Sequence, residues 1–248
     1  MNKDRSQQRP RGVTNHRPGS GRDGILYIVG TPIGNPDDLS QRARDVLLRV
    51  SIIAAEHPAV TQDLLRYHGI TNRITSYGPG HLAEKVSVLA VRLREGHDVA
   101  LVVDGGMPVI QDPGQLLVAA ARSQGTSIVL VPGPSAVTAA VTLSGFSGDR
   151  FHFAGAAPAT RRAQTRFLTT LCKSPDKAVF FCHPTNLRWV LNRLDDLAPS
   201  RLLTIVADLT TATEVVLQGT AGSISERLVA VSNNAEVTVV LEQRRKGK

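Results

Sequence analysis

The sequence contains almost no cysteine: Cys172 and Cys182 are the only two among 248 residues. Two cysteines exclude a disulfide framework and a cysteine-rich zinc site, and such low usage is typical of proteins from a reducing compartment. We therefore predict a cytoplasmic protein in which both thiols act as small buried apolar side chains.

Also lacking is any stretch that would cross a membrane. The longest run without charge, residues 123–148, is interrupted by Pro132-Gly133-Pro134, which favours a strand, a turn and a helix. Residues 1–22 have no apolar run of the kind that a secretory signal needs, and they carry six cations. The sequence thus predicts no membrane partner and a disordered basic tail over residues 1–23.

Motifs of several common enzyme classes are missing as well. Gly30 and Gly34 do not form the G-x-G-x-x-G fingerprint of dinucleotide-binding folds, and no G-x-x-x-x-G-K-[ST] phosphate-binding loop occurs. H-E-x-x-H and paired C-x-x-C motifs are absent, so no metal site is predicted. Ser135 lies in G-P-S-A-V rather than in G-x-S-x-G, which argues against a hydrolase nucleophile.

The net charge of +8 resides at the two ends of the chain. Residues 1–22 carry a net charge of +5 and residues 243–248 a net charge of +4, which leaves −1 for residues 23–242. A basic chain suggests a nucleic-acid partner, but here the body between the ends is nearly neutral. The ends therefore offer a tether to phosphates, and specific recognition has to come from the body.

Short apolar runs alternate with amphipathic segments, which predicts an α/β architecture with largely parallel sheets. The predicted strands are 25–30, 51–55, 99–103, 127–131, 151–153, 178–182, 202–207 and 237–241. The predicted helices, the first capped by Asp37 or Asp38, are 39–47, 58–68, 82–94, 115–124, 134–143, 160–171, 184–197 and 223–231. A turn cluster at 145–149 indicates two domains, 24–146 and 147–242, followed by a second basic tail at 243–248.

Three loops that follow predicted strands are unusually rich in glycine and proline: residues 30–35, 104–114 and 132–136. In open α/β sheets, ligands bind where strands end and helices begin. Glycine lets the backbone approach a ligand closely, and proline fixes the shape of the loop. One such loop is an ordinary turn, but three in one half of the chain predict a binding cleft for a flat, polar ligand.

The order of these loops resembles the tetrapyrrole methylase superfamily of S-adenosylmethionine-dependent methyltransferases, and most closely its ribosomal RNA branch. The segments that carry the resemblance are residues 26–47 (LYIVGTPIGNPDDLSQRARDVL), 52–56 (IIAAE), 99–114 (VALVVDGGMPVIQDPG) and 131–155 (VPGPSAVTAAVTLSGFSGDRFHFAG). Weaker matches at 184–187 and 208–220 extend the resemblance over roughly residues 25–241.

The resemblance implies two α/β domains with S-adenosylmethionine in the cleft between them, and a homodimer. The ribosomal RNA branch methylates the ribose 2′ oxygen of a cytidine in 16S rRNA, so the implied partner is the small ribosomal subunit. Backbone groups of the three loops suit adenosine and the methionine amino and carboxylate groups. The positions that match the family's cofactor contacts are Pro32, Gly34, Asp104, Gly105, Gly106, Pro108, Gly133, Pro134 and Ser135.

The chain departs from the family pattern mainly where a substrate is expected. Where the family has E-D-T-R, this chain has Glu56-His57-Pro58-Ala59, and where the family has S-D-A-G-T-P, it has VDGGMP at 103–108. The family's Y-E-S-P-H-R-L is replaced by FCHPTNL at 181–187, and its R-E-L-T-K is replaced by ADLTT at 207–211. Several charged groups are lost in these changes. These losses leave open two alternatives to an active rRNA methyltransferase: a weakly active or inactive paralogue that binds the cofactor, and a methylase of a small molecule.

Methyl transfer to a ribose hydroxyl benefits from a base within hydrogen-bond reach. The candidates are Glu56, His57, Asp104 and Asp208. We favour Glu56 and Asp104 as catalytic residues because both follow strands that end at the predicted cleft, although a carboxylate at such a position also commonly caps the next helix or loop. His57 is interpreted as an exposed loop histidine.

Recognition of RNA requires positive charge near the cleft. Arg150, Arg161, Arg162 and Arg166 cluster at the start of the second predicted domain and are the candidate RNA-binding residues. A solvated helix face explains the three arginines from 161 to 166 equally well.

Overall fold

A computed structural model describes residues 23–228 and 231–244. The described chain forms two compact units, of which the first comprises residues 23–30, 39–104 and 108–132, and the second comprises residues 31–38, 105–107 and 133–244. The tail predicted at 1–23 lies outside the described residues except for Asp23, and the tail predicted at 243–248 lies outside them beyond residue 244.

The first unit contains a five-stranded sheet. Its strands are β1 (Ile25–Val29), β2 (Ile52–Ala55), β3 (Ile74–Ser76), β4 (Val99–Val102) and β5 (Ser127–Val131). All pairings are parallel, in the order β3-β2-β4-β1-β5, as predicted for this half. The prediction omitted β3 because its three residues include no buried side chain and form no apolar run.

Helices surround this sheet because parallel strands need crossover connections. They are α1 (Gln41–Arg49), α2 (Pro58–Tyr67), α3 (Leu82–Arg94) and α4 (Gln115–Ser123). The first begins two residues later than predicted because Ser40, rather than Asp37 or Asp38, caps it: the Ser40 Oγ accepts a hydrogen bond from the Ala43 N–H at 3.1 Å. The two aspartates lie instead in a short 3-10 helix, Pro36–Asp38.

The second unit contains a mixed five-stranded sheet. Its strands are β6 (Phe151–Ala156), β7 (Lys177–Cys182), β8 (Leu202–Ala207), β9 (Val215–Thr220) and β10 (Val237–Leu241), in the order β6-β7-β10-β8-β9. The α/β class is confirmed, but only the β6–β7 pair is parallel, so the prediction of a largely parallel sheet fails for this half. The turn at 208–214 is too short for the crossover that a parallel pair requires, so β9, a strand that the prediction omitted, runs antiparallel to β8. The last strand, β10, is antiparallel to both of its neighbours, β7 and β8.

Helices cover both faces of the second sheet. They are α5 (Ala136–Ser144), α6 (Arg161–Lys173), α7 (Pro184–Leu197) and the short α8 (Ala221–Ser225). Because successive strand residues point to opposite faces, Phe180 of β7 packs on the α6–α7 side, whereas Val179 packs with Val137 and Ala140 of α5. None of the described helices has the length and apolar character needed to span a membrane.

The boundary between the two units lies before α5 rather than after it. A division between residues 146 and 147 was predicted from the turn cluster, yet the chain passes from the first unit to the second at Pro132 and Gly133. The cause is the apolar face of α5, which buries Val137 and Ala140 against Val206 and Val240 of the second sheet. The turn cluster at 145–149 marks the end of α5, but the packing of its apolar face determines the unit to which the helix belongs.

Candidate functional site

The three Gly/Pro loops leave the carboxyl ends of β4, β1 and β5, three neighbouring strands of the first sheet. Residues 31–38, 105–107 and 133–135 of these loops then belong to the second unit. There Thr31 and Gly106 form an antiparallel bridge with two backbone hydrogen bonds of 3.0 and 3.1 Å. The Gly133 N–H lies 3.4 Å from the Met107 Sδ, so the loop at 104–114 contacts both of the other loops.

The cofactor-binding positions that the family resemblance implies differ in their exposure to solvent. Pro32, Gly106 and Pro108 are buried and set the shape of their loops. Gly34, Asp104 and Gly105 are exposed, and Gly133, Pro134 and Ser135 are half-buried. These six are the positions at which backbone groups or a side chain remain accessible to a ligand.

Two of the glycines are required by the loops themselves. Gly106 has φ +86°, a left-handed conformation that side chains rarely adopt. At Gly105, an added Cβ would lie 3.2 Å from the Pro32 carbonyl oxygen, which is tighter than ordinary van der Waals contact. Bare backbone at this exposed place is what close approach by a flat ligand requires.

Gly34 is explained by packing against a fourth loop, the turn at 208–211. A Cβ at Gly34 would lie 2.1 Å from the Leu209 carbonyl oxygen, and the Asn35 N–H donates to the Thr210 Oγ1 at 2.9 Å. Thr210 has φ +64°, which is unusual for a β-branched residue and indicates local strain. Sequence reasoning did not associate this turn with the first loop, because the contact joins residues 175 positions apart.

Asp208, one of the four candidate bases, has a structural role in that turn. Its Oδ1 accepts a hydrogen bond from the Glu236 N–H at 3.0 Å, while its own N–H donates to the Glu236 carbonyl oxygen at 3.0 Å. These bonds fix a residue whose φ is +51°. We therefore assign Asp208 a structural role, which is to hold the conformation of this turn.

The other three candidate bases lie together in the first unit. The parallel pairing of β2 with β4 sets Ala55 beside Val102, so that Glu56, His57 and Asp104 follow adjacent strand ends. One polar atom from each of these three side chains lies within 4.8 Å of the other two. The clustering of Glu56 and Asp104 agrees with the sequence argument that both follow strands ending at the same edge.

His57 is exposed as predicted, but it is not a solitary loop residue. Its Nδ1 lies 2.7 Å from the Asp104 Oδ2, and the two side chains are 58% and 38% exposed. The Glu56 backbone is held closely: a Cβ at Gly78 would lie 2.5 Å from the Glu56 carbonyl oxygen. The arrangement brings two carboxylates and an imidazole to an accessible edge, where they can hold or exchange a proton.

The four candidate RNA-binding arginines differ in their surroundings. The Arg150 guanidinium donates to the Asp176 Oδ1 at 2.8 and 3.1 Å. Arg161 donates to the Gln164 Oε1 at 2.9 Å and stacks on the Trp189 ring, 4.7 Å from its centroid. Arg162 and Arg166 are exposed one turn apart on α6.

The cysteines have the predicted apolar character. Cys182 is buried on β7, and this burial raises the pKa of its thiol to about 12. Burial also raises the pKa of Cys172, which is half-buried and adjoins the core formed by α6 and α7. Both thiols are protonated at neutral pH and are poor nucleophiles.

The altered segment 181–187 opens onto a cavity of about 730 Å³ in the second unit. At its edge the His183 Nδ1 lies 2.7 Å from the Thr185 Oγ1. The cavity is lined by His183, Pro184, Thr185, Asn233, Asn234 and Ala235. Its polar groups are uncharged hydroxyl and amide donors and acceptors together with an imidazole.

Comparison with known proteins supports this description. The family model for tetrapyrrole (corrin/porphyrin) methylases matches residues 25–225. A ribosomal RNA small subunit methyltransferase I from Xylella fastidiosa is 38% identical over 222 residues, covering 88% of this chain and 80% of that protein. A protein of the same name from Thermotoga maritima is 35% identical over 218 residues, covering 88% of this chain and 98% of that protein.

Solved structures show the same fold at lower sequence identity. A diphthine synthase matches with a TM-score of 0.69 at 17% identity, covering 88% of this chain and 90% of that chain. A cobalt precorrin-4 methyltransferase matches with a TM-score of 0.65 at 21% identity, covering 88% of this chain and 94% of that chain.

Proposed function

The chain belongs to the tetrapyrrole methylase family, and on that premise we propose that it methylates a cytidine ribose of 16S rRNA at the 2′ oxygen, with S-adenosylmethionine as the methyl donor. The name of its curated relatives supports small-subunit rRNA as the substrate. The ribose 2′ oxygen of a cytidine is taken from the resemblance to the ribosomal RNA branch. The observation that carries the proposal is the contact of the loop at 104–114 with both other loops, through the Thr31–Gly106 bridge and through the Gly133 N–H and the Met107 Sδ.

The residues present fit S-adenosylmethionine. At Gly105 the exposed backbone bears no side chain, and the neighbouring Pro32 and Gly106 are buried and fix the loop shapes. When bound, the sulfonium of the cofactor supplies an electrophilic methyl group. The residues that we propose to bind it are Pro32, Gly34, Asp104, Gly105, Gly106, Pro108, Gly133, Pro134 and Ser135.

The side chains of the first unit then carry the chemistry. Methyl transfer is an in-line displacement, so its rate depends on alignment and on removal of the hydroxyl proton. We propose Glu56 and Asp104 as the catalytic carboxylates, supported by their position at adjacent strand ends. Buried Cys182 takes no part, because its thiol does not ionise near neutral pH.

RNA binding is proposed for the four arginines between residues 150 and 166 of the second unit. Arg162 and Arg166 are exposed and reach phosphates directly, whereas Arg150 and Arg161 already have partners that orient their guanidinium groups. The cations of residues 1–22 and 243–248 add contacts that weaken with salt.

We also propose a homodimer located in the cytoplasm. The homodimer is supported by the family resemblance, and the location by the two unpaired cysteines and by a ribosomal substrate. Sedimentation of the purified protein at micromolar concentration tests the first point, since a mass of 26.6 kDa would contradict it.

The test is transfer of labelled methyl from S-adenosylmethionine to small ribosomal subunits from a bacterium that lacks its own enzyme of this family. We expect label in 16S rRNA and none in subunits that already carry the modification. Cofactor binding by calorimetry without transfer to rRNA would instead indicate the inactive paralogue or the small-molecule methylase.

A further inference from the structure

We propose that His57, oriented by Asp104, is the base that accepts the proton of the ribose hydroxyl. This inference rests on the proposed function and refines it: His57 removes the hydroxyl proton, and Asp104 contributes by positioning the ring. His57 stands where the family pattern has an aspartate, and of the four candidate bases it is the one interpreted from the sequence as an exposed loop histidine.

The short contact between His57 and Asp104 defines the state of the imidazole. A carboxylate offers only acceptors, so at 2.7 Å the Nδ1 of His57 carries the hydrogen and donates it to the Asp104 Oδ2. The lone pair of the ring is then on Nε2, which is the atom that can accept a proton. A carboxylate that fixes the tautomer in this way also stabilises the imidazolium that forms.

The local backbone leaves this imidazole available. His57 is the residue before α2, yet its side chain makes no capping hydrogen bond to the helix, and Pro58 occupies the first helical position. The side chain is 58% exposed, so a polymeric substrate can reach Nε2. Capping, which is the usual role of a polar residue at this place, therefore does not explain the pair.

The partner of His57 is itself one of the residues that we propose to bind the cofactor. Asp104 is the first residue of the Gly/Pro loop at 104–114. His57 is thus one hydrogen bond away from a residue that we propose to contact the cofactor. Glu56 completes the cluster, since one of its carboxylate oxygens lies within 4.8 Å of the polar atoms of His57 and Asp104.

In the proposed step, the ribose O2′ forms a bond to the methyl carbon as the carbon–sulfur bond breaks. The sulfur keeps the electron pair of that bond and becomes a neutral sulfide. The O2′ proton passes to the His57 Nε2, which gives an imidazolium paired with Asp104, and leaves later to water. Atoms and charge balance without another reactant.

The principal variant is His57→Gln, which keeps a polar side chain beside Asp104 but removes the basic nitrogen. We expect kcat on small subunits to fall by about 10²- to 10⁴-fold, the usual contribution of a general base. The affinity for S-adenosylmethionine, measured by calorimetry, should change less than threefold. The matched control is His81→Gln, since His81 is another exposed histidine near a carboxylate, 4.0 Å from Glu84, and should leave kcat unchanged.

Two further measurements distinguish a His57 that acts as a base from a His57 that only links two loops. Free imidazole should restore part of the activity of His57→Ala, which a purely structural contact would not allow. Correlation of ring nitrogens with ring protons in ¹⁵N-histidine-labelled protein should show His57 protonated at Nδ1, and Asp104→Asn should abolish that preference. The NMR measurement requires no turnover.

The outcomes separate the two proposals. A wild-type protein that transfers no methyl group overturns the proposed function and this assignment with it. An active wild-type protein beside an equally active His57→Gln variant overturns this assignment alone. Loss of wild-type activity on chelation, restored by a divalent cation, would also overturn it, because the three side chains would then bind a metal.

Discussion

The Gly/Pro loops of the second unit and the Glu56–His57–Asp104 cluster of the first unit are built from different chemical groups. The loops offer backbone N–H and C=O groups whose positions are fixed by buried prolines and by the Thr31–Gly106 bridge. The cluster offers side chains that exchange protons. Backbone groups remain when side chains change, so the second loop can read VDGGMP where the family has S-D-A-G-T-P, whereas the change from aspartate to His57 replaces a chemical group of the cluster.

The largest expected effect is a loss of turnover, caused by substitutions in the cluster of the first unit. Asp104→Ala removes both a cofactor-binding group and the partner of His57, so we expect kcat/KM to fall by at least about 10³-fold. Glu56→Ala, which leaves that pair intact, should cost about tenfold in kcat. Single-turnover rates on small ribosomal subunits measure both.

Asp63→Ala is the matched control for these two variants. Asp63 is an exposed carboxylate of α2 that pairs with Arg66 at 2.6 Å, and its loss should leave the rate unchanged. Rates of Asp104→Ala equal to those of Asp63→Ala would remove Asp104 from the catalytic set.

The second-largest expected effect is a loss of stability and of cofactor affinity, caused by a substitution in the second unit. Gly34→Ala places a Cβ against the Leu209 carbonyl, so the first loop has to separate from the turn at 208–211. We expect a loss of about 2–3 kcal/mol in the free energy of unfolding, the magnitude typical of backbone strain, and a weaker affinity for S-adenosylmethionine. Chemical denaturation and calorimetry measure the two quantities.

Gly125→Ala controls for the loss of a glycine alone. Gly125 has φ +72° with open space around it, so its replacement should cost about 1 kcal/mol and leave cofactor affinity unchanged. Equal effects at both glycines would contradict the claim that the Gly34 contact shapes the loop.

The sequence predicts well the features that depend on neighbours in the chain. The parallel first sheet follows from buried apolar runs, and the proximity of Glu56 to Asp104 follows from the rule that adjacent strands end together. The mixed second sheet could not be predicted, because β9 buries only Leu217 and its pairing depends on the turn before it. The assignment of α5 to the second unit, the His57–Asp104 bond and the contact of Gly34 with Leu209 depend on tertiary packing.

A smaller effect is expected from the charged ends of the chain. Removing residues 1–22 and 243–248 takes away a net charge of +9 that lies outside the nearly neutral body. We expect rRNA affinity at low salt to fall about tenfold and the dependence on salt to flatten, while cofactor affinity stays the same. Unchanged rRNA affinity would show that the body alone binds RNA.

The smallest effect is expected from single arginines of α6. Arg162→Ala and Arg166→Ala should each weaken rRNA binding a few-fold and reduce the slope of log affinity against log salt by about one. Arg122→Ala, at an exposed position in the last turn of α4, has the same change in charge and serves as the control. Identical slopes for all three would mean that α6 has no special contact with RNA.

The central claim is that this chain places a methyl group on a ribose oxygen of small-subunit rRNA. The most direct measurement is mass spectrometry of nucleosides from 16S rRNA treated with the protein and S-adenosylmethionine, combined with alkaline hydrolysis, which a 2′-O-methyl group blocks at the adjacent phosphodiester. The account predicts 2′-O-methylcytidine in an alkali-resistant dinucleotide, formed by the wild type and by His81→Gln. A methyl group on a base, or no methyl group on rRNA while the protein binds the cofactor, would contradict it.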